Sequence, residues 1–373
     1  MIDEVKPPPE TVETPPLAPF TPSLSKKEFF SNAWRNSVAL ILLIMSAALT
    51  LFFLHNQNQT WQAFQAWAHL DITGFLQKHT FSPKGGDVSV APPPLPPPPI
   101  PKLIGTLPDA AQFTAGSILV KDRTTGEVLY QKNEYERRPI ASLSKLMSAL
   151  VLLEKDIDWK STTTVKVEQD AADNHFLNGE VYILQDMWEA ALVGSSNQAI
   201  LSLVDAVYIN RDAFVARMNE KALELGMKDS QFIEPTGLSE QNISTASDII
   251  LLLDEALKQE KIQETLLLKE TTLIPVGKKK PHHIWNTNWL LLNWIPNKIV
   301  DFRGGKTGYI TASGYNFTMQ IAENDEKVID VVVLGAAKHE DRFSEARDIG
   351  KSVFAAFRWP SDDIVSTTTS TPE

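Results

Sequence analysis

Arg138-Pro-Ile-Ala-Ser142-Leu-Ser-Lys145-Leu-Met-Ser-Ala-Leu-Val-Leu-Leu-Glu154 is the stretch on which both fold and chemistry turn. Pro139 marks the approach to a helix, and Leu143, Leu146, Met147, Leu150 and Val151 recur at helical spacing, so a core helix is expected to open here. Ser142 and Lys145 stand three apart and share one face of its first turn. That geometry suits covalent catalysis, because a hydroxyl is a weak nucleophile until a base stands within hydrogen-bond reach. An amine is a base only when neutral; burial, the positive end of a helix and a second cation all lower its pKa. Alone the pattern is weak, since Ser23-Leu-Ser-Lys26 carries the same four letters in a Pro-rich tail.

Two further pieces follow in order. Leu192-Val-Gly-Ser195-Ser-Asn197-Gln-Ala-Ile reads as a short loop re-entering a helix, and Asp301-Phe-Arg-Gly-Gly-Lys306-Thr307-Gly308-Tyr309 leads into strands. Singly, Ser195 and Asn197 read as helix caps, and Lys306-Thr-Gly308 as a turn at a strand edge. The ordered triplet Ser-x-x-Lys, Ser-x-Asn, Lys-Thr-Gly is a strong signal for an acylated serine site. Around it, Ser117–Tyr130 reads as strand, Gly-containing turn and strand, and Tyr315–Ile321 and Lys327–Leu334 as further strands. Helical periodicity fills about 142–268. Strand-rich ends around a helical middle predict an α+β domain, an antiparallel sheet built from both chain ends with a helical lobe inserted between its strands.

Several chemistries are excluded. The 373-residue chain has no cysteine, hence no thiol nucleophile and no Cys-ligated metal. It contains no Gly-x-Ser-x-Gly elbow and no His-Glu-x-x-His helix, and no metal or cofactor is expected. His282-His283 follows Lys278-Lys-Lys280 and reads as a solvated basic loop. Gly304-Gly-Lys-Thr307 imitates the end of a P-loop, but Val300 occupies the place of the first Gly and no helix follows. Net charge is −11 and falls entirely after residue 102, which argues against nucleic acid as a partner.

The N-terminal third is organised differently. Residues 1–35 are Pro-, Glu- and Thr-rich and read as a disordered cytoplasmic tail. Val38–Leu54 is 17 residues without a charge, ~25 Å as a helix, and 36–55 is expected to be a transmembrane signal anchor. Lys26, Lys27 and Arg35 flank its N-terminal side, which orients the remainder outward. Residues 56–102 form a juxtamembrane segment and a spacer; Ala91–Pro101 holds eight prolines and would stand ~30 Å tall as polyproline II. The catalytic domain is expected over 103–359, with a disordered tail over 360–373.

On these motifs, and on Asn178–Ser195, Phe214–Phe232, Pro235-Thr-Gly-Leu238 and Gly308–Phe317, the chain resembles the serine D-Ala-D-Ala carboxypeptidases, the low-molecular-mass penicillin-binding proteins. The resemblance covers about 250 residues, from near Pro108 to Trp359. It implies the β-lactamase/penicillin-binding-protein-like transpeptidase fold. It implies peptidoglycan stem peptides ending in D-Ala-D-Ala as substrates, and β-lactams as covalent inhibitors. Carried over by position, Ser142 is the nucleophile, Lys145 its base and Ser195 a proton relay to the leaving amine. Asn197 holds the donor peptide amide. Lys306 supplies charge that keeps Lys145 neutral and, with Thr307, binds the terminal carboxylate. Gly308 admits the substrate strand, and backbone N–H groups of Ser142 and Tyr309 form the oxyanion hole. Arg342 is a weaker candidate for carboxylate contact, or a surface ion pair. Tyr309 stands where many members carry His, and Thr236 where some do.

Three alternatives accompany this expectation. A D,D-endopeptidase would use the same residues in a wider cleft. A class A-like β-lactamase would need a Glu-x-x-Leu-Asn motif after Ser195, which is lacking. A non-catalytic β-lactam-sensing or wall-binding module is disfavoured by the intact motif side chains.

Overall fold

The two ends of the domain build its sheet and the middle builds its helices. The computed structural model describes residues 99–362 except 172 and 174. The tail of 1–35, the anchor of 36–55, the spacer up to 98 and the tail from 363 lie outside the described residues. Among those described, no helix is long and apolar enough to cross a membrane.

In chain order, β1 (Lys102–Leu103) precedes the hairpin β2 (Ser117–Asp122) and β3 (Val128–Lys132), then β4 (Arg138–Pro139). Helix α1 (Ser144–Leu152) is followed by β5 (Thr162–Thr164), β6 (Val181–Ile183), α2 (Leu184–Leu192), α3 (Asn197–Val207) and α4 (Arg211–Glu224). Next come β7 (Ile243–Ser244), α5 (Ala246–Lys258), α6 (Glu260–Leu267), β8 (Glu270–Leu273) and β9 (His282–Trp285). Strands β10 (Asp301–Ile310), β11 (Gly314–Asn324) and β12 (Lys327–Ala336), helix α7 (Asp341–Ala356) and β13 (Phe357–Arg358) complete the fold.

The main sheet runs β10-β11-β12-β2-β3, antiparallel throughout, as the α+β expectation requires. Strand β12 is rich in β-branched residues and is buried on both faces, the pattern of a central strand. Its side chains alternate: Val331 and Val333 join Phe343, Ile349 and Val353 of α7, while Val332 and Leu334 join the helical lobe with α5. Each such side chain contributes roughly 1.5–3 kcal/mol by leaving water.

Strand β10 is a sheet edge. A register shift between Phe302 and Gly304 bends it, with Gly304 at φ 147°. Its free edge is thereby offered to the helical lobe.

Two expectations are corrected. Ser142 is not in the α-helix but in a 3-10 turn, Ala141–Leu143, that leads into α1 at Ser144. Residues i and i+3 eclipse in a 3-10 turn, so Ser142 still faces Lys145. His282 and His283 are not loop residues; they lie in β9, paired with β8, and His283 Nε2 meets Glu270 Oε2 at 2.8 Å. At the two ends of the described domain Pro101 is buried, Lys102 pairs with Arg358, and Asp362 binds Lys327 at 2.5 Å.

Candidate active site

Three chain segments converge on Lys145. Its side chain is fully buried, and Nζ donates to Ser142 Oγ at 2.8 Å, Asn197 Oδ1 at 2.6 Å and the Thr236 carbonyl at 2.7 Å. Burial is the largest influence on this amine and lowers its pKa to about 7; the carboxylates of Glu234 and Asp173 push it back upward. In its neutral form the amine keeps two N–H bonds for Asn197 and Thr236 and turns its lone pair to Ser142. The Ser142 hydroxyl then donates, which is the starting geometry for proton abstraction.

The turn bearing Ser142 is held under backbone strain. Ala141 has φ 50°, in the left-handed region that non-glycine residues rarely adopt. Gly237, at φ 87°, presses against it: a Cβ at 237 would lie 1.9 Å from the Ala141 carbonyl oxygen. Gly308 does the same from β10, where a Cβ would stand 2.8 Å from the Ile140 carbonyl and 3.1 Å from the Ser142 amide nitrogen. Glycine at 308 therefore brings the edge strand against the nucleophile's own backbone.

A second buried lysine faces the first. Lys306 is 1% exposed and donates to Ser195 Oγ at 2.6 Å and the Thr307 carbonyl at 3.0 Å. Its pKa is pushed well below the ordinary value, first by burial and then by Lys145 and Arg342. Lys145 is thus depressed mainly by its own desolvation rather than by the charge of Lys306. An arriving carboxylate would push the Lys306 pKa back upward.

Ser195 reaches Lys306 because it is not the helix cap. Ser196 caps α3 by accepting from Ala199 N at 3.0 Å and also donates to the Asp173 carboxylate. Ser195 sits at φ 60°, and its hydroxyl is left for the cleft. Asn197 begins α3, its oxygen taken by Lys145, so toward a substrate it presents its NH2 group.

The rest of β10 is fixed from outside the cleft. The Thr307 hydroxyl lies 2.6 Å from that of Thr287. Tyr309 is half exposed and stacks on Tyr315 at 4.3 Å and 20°. Arg342 is buried at 4% exposure, which removes the surface ion-pair reading; it donates to the Gly308 carbonyl at 3.2 Å and contacts His339 Nε2 at 2.8 Å. Burial lowers its pKa to about 10.

The structure brings five expected residues together as two hydrogen-bonded groups, Lys145 with Ser142 and Asn197 and Lys306 with Ser195, close enough for Lys145 to depress the Lys306 pKa, with Thr307, Gly308 and Tyr309 following along β10. Sequence reading missed Glu234 and Thr287, and noted Thr236 for its side chain rather than for its carbonyl. The Glu234 carboxylate accepts from Thr236 N, Thr236 Oγ1 and Gly237 N, each at 2.6 Å, and from Asn242 Nδ2 at 3.1 Å. It folds the 234–239 turn that aims the Thr236 carbonyl at Lys145. The available signal was an acid directly before Pro235-Thr-Gly237, a turn-like sequence. Among the described residues no group of three or more His, Asp or Glu could hold a metal.

A family model described as D-alanyl-D-alanine carboxypeptidase matches residues 105–338. A D-alanyl-D-alanine endopeptidase of Pseudomonas aeruginosa is 33% identical over 247 residues, 64% of this chain and 77% of that protein. The D-alanyl-D-alanine carboxypeptidase DacF of Bacillus subtilis is 32% identical over 254 residues, 65% of this chain and 63% of the relative. Among solved structures, the ampicillin-bound penicillin-binding protein D2 of Listeria monocytogenes is similar with a TM-score of 0.57 and 28% identity. That match covers 65% of this chain and 98% of the other.

Proposed function

Since the chain belongs to the D-alanyl-D-alanine carboxypeptidase family of serine peptidases, we propose that it removes the terminal D-Ala from peptidoglycan stem peptides through an acyl-enzyme on Ser142. The observation that carries this reading is the contact of Ser142 Oγ with an amine whose pKa lies about 7. Lys145 takes the hydroxyl proton as Oγ attacks the carbonyl between the two D-alanines. The carbonyl oxygen becomes an oxyanion in reach of the Ser142 and Tyr309 amides, each such donor worth about 3–4 kcal/mol of barrier. The C–N bond breaks, Ser195 relays a proton to the departing amine, and D-Ala leaves. Lys306 and Thr307 bind the terminal carboxylate, Asn197 donates to the acyl-side peptide, and water then hydrolyses the ester.

Endopeptidase cleavage of cross-linked peptides is the second reading. It uses the same residues and is supported by the Pseudomonas relative. Digestion of purified cross-linked and uncross-linked muropeptides separates the two. A β-lactam should acylate Ser142, a reading supported by the ampicillin-bound relative. We place the domain on the outer face of a bacterial membrane, tethered by residues 36–55; the uncharged run Val38–Leu54 and the Lys26, Lys27 and Arg35 flank support this.

Intact-mass measurement after penicillin exposure, with peptide mapping, tests the nucleophile. One adduct on the peptide containing Ser142, absent in Ser142→Ala, is expected. An adduct elsewhere, or D-Ala release by Ser142→Ala, overturns the assignment.

A further inference from the structure

Beside the catalytic strand runs a strip of aromatic rings that the chemistry above does not use. Tyr309 of β10 stacks on Tyr315, which meets His339 at 5.7 Å; His339 meets Trp289 at 4.2 Å, Trp289 meets Trp294 at 5.7 Å, and Trp294 meets Trp285 at 5.9 Å. The three rings nearest solvent are half exposed: Tyr309 49%, Trp285 50% and Trp294 52%. Tyr315, His339 and Trp289 between them are partly buried, Tyr315 and Trp289 packing on the core, so the row presents the Trp285–Trp294 pair to solvent at one end and Tyr309 at the other. Isolated exposed rings are ordinary, but paired indoles held on a fixed aromatic backing suit a binding surface.

Both ends of the strip lie on segments that build the cleft. One end is Tyr309 itself. The other is Trp285, two residues before Thr287, whose hydroxyl is 2.6 Å from that of Thr307. The segment carrying the tryptophans, 281–297, contains no Asp, Glu, Lys or Arg; its polar side chains besides His are asparagine amides and one threonine hydroxyl. Asn293, beside Trp294, is exposed, and the buried Asn288 Nδ2 has no hydrogen-bond partner.

We infer that this strip is a subsite for the amino-sugar strand to which a wall stem peptide is attached. The inference rests on the D,D-peptidase reading. Pyranose rings present an apolar C–H face that stacks on indole and phenol rings. Their hydroxyl and acetamido groups suit uncharged amide partners. A stem peptide of about four residues places its first sugar at most ~14 Å from the scissile bond. A subsite for that sugar must therefore border the cleft, as this strip does. A lipid surface fits less well: Arg342, the arginine in contact with Tyr315 and His339, is buried away from headgroups, and a bilayer lying on the strip would cover the approach to Tyr309 and Thr307.

The test compares the full chain with its Trp285→Ala/Trp294→Ala variant on a disaccharide-pentapeptide and on the same pentapeptide without sugars. The wild-type chain should prefer the sugar-bearing substrate about tenfold or more in kcat/KM, and the variant should lose that preference. Penicillin acylation reports whether the variant folds. Independently, a β-1,4-linked N-acetylglucosamine tetramer should quench tryptophan emission of the wild-type chain and not of the variant. Equal preference in both proteins, with no quenching by the tetramer, overturns the subsite. So does quenching by phospholipid vesicles, and not by the tetramer, that the double substitution removes. Failure of the wild-type chain to release D-Ala from either substrate overturns the D,D-peptidase reading instead, and the tetramer experiment still decides the strip.

Discussion

Lys306 and Ser195 are joined by a 2.6 Å hydrogen bond between two groups that lie 111 residues apart. The bond gives the cleft two lysine–serine pairs, one for attack and one for departure of the amine. Groups that act as a unit lose their effect together. Ser195→Ala and Lys306→Met should each slow acylation by a penicillin about 100-fold or more, and the double variant should be little slower than either. Stopped-flow acylation rates check this; multiplicative losses would separate the two side chains.

Lys145 sets the pH dependence. Its pKa is depressed from 10.5 to about 7, so the base is protonated below that pH and neutral above it. The acylation rate should fall about tenfold per unit below pH 7 and level off above it. A rate that is flat from pH 5 to 8 would remove Lys145 as the base.

Glu234 should move that limb. Its negative charge raises the Lys145 pKa, so Glu234→Gln lowers it and shifts the limb to more acid pH. The same change disturbs the bonds to Thr236 and Gly237, costing about 1–2 kcal/mol of stability. A pH–rate profile distinguishes the electrostatic role, because loosened packing alone lowers the rate without displacing the limb.

Gly237 tests the close approach behind the nucleophile. Gly237→Ala places a methyl where the Ala141 carbonyl stands and demands a positive φ from alanine. A loss of order 3 kcal/mol in urea unfolding, with loss of penicillin acylation, is expected.

Asp330 gives a prediction remote from the cleft. It lies on β12 at 2% exposure, and burial raises its pKa to about 7; Gln320 donates to it at 2.8 Å. Between its unfolded value near 4 and 7 the unfolded state ionises first, so stability falls as pH rises and the penalty is complete above 7. Asp330→Asn should be more stable than the parent by a few kcal/mol at pH 8, with the gain fading toward pH 4. Urea midpoints at both pH values measure it.

How much of this was legible depends on range. Helix α1 was legible because Leu146, Met147, Leu150 and Val151 repeat at its own period, and β12 because Val331–Leu334 is a continuous apolar run. The order of Ser142, Lys145, Ser195, Asn197 and Lys306 pointed to a shared cleft. Strands β8 and β9 were not legible: Thr271 and His283 become strand residues only by pairing across a turn, which no local pattern announces. Thr236 acts through its carbonyl, which every residue possesses, so its side chain gave no clue. Arg342 was left open between a carboxylate contact and a surface ion pair because its burial is decided by β10, more than 30 residues away.

The pairing of β2 with β12 governs how the protein is made. Ile118 lies opposite Val333, about 200 residues later in the chain. At ~5–20 residues per second the first hairpin waits some ~10–40 s for its partner to be synthesised. Through that interval the apolar faces of Ile118, Leu119 and Val120 lack their final cover, and their strand edge is unpaired. Assembly of so non-local a sheet is intrinsically slow. The newborn chain therefore has a window in which a holding chaperone, or a wrong strand, competes for the place of β12.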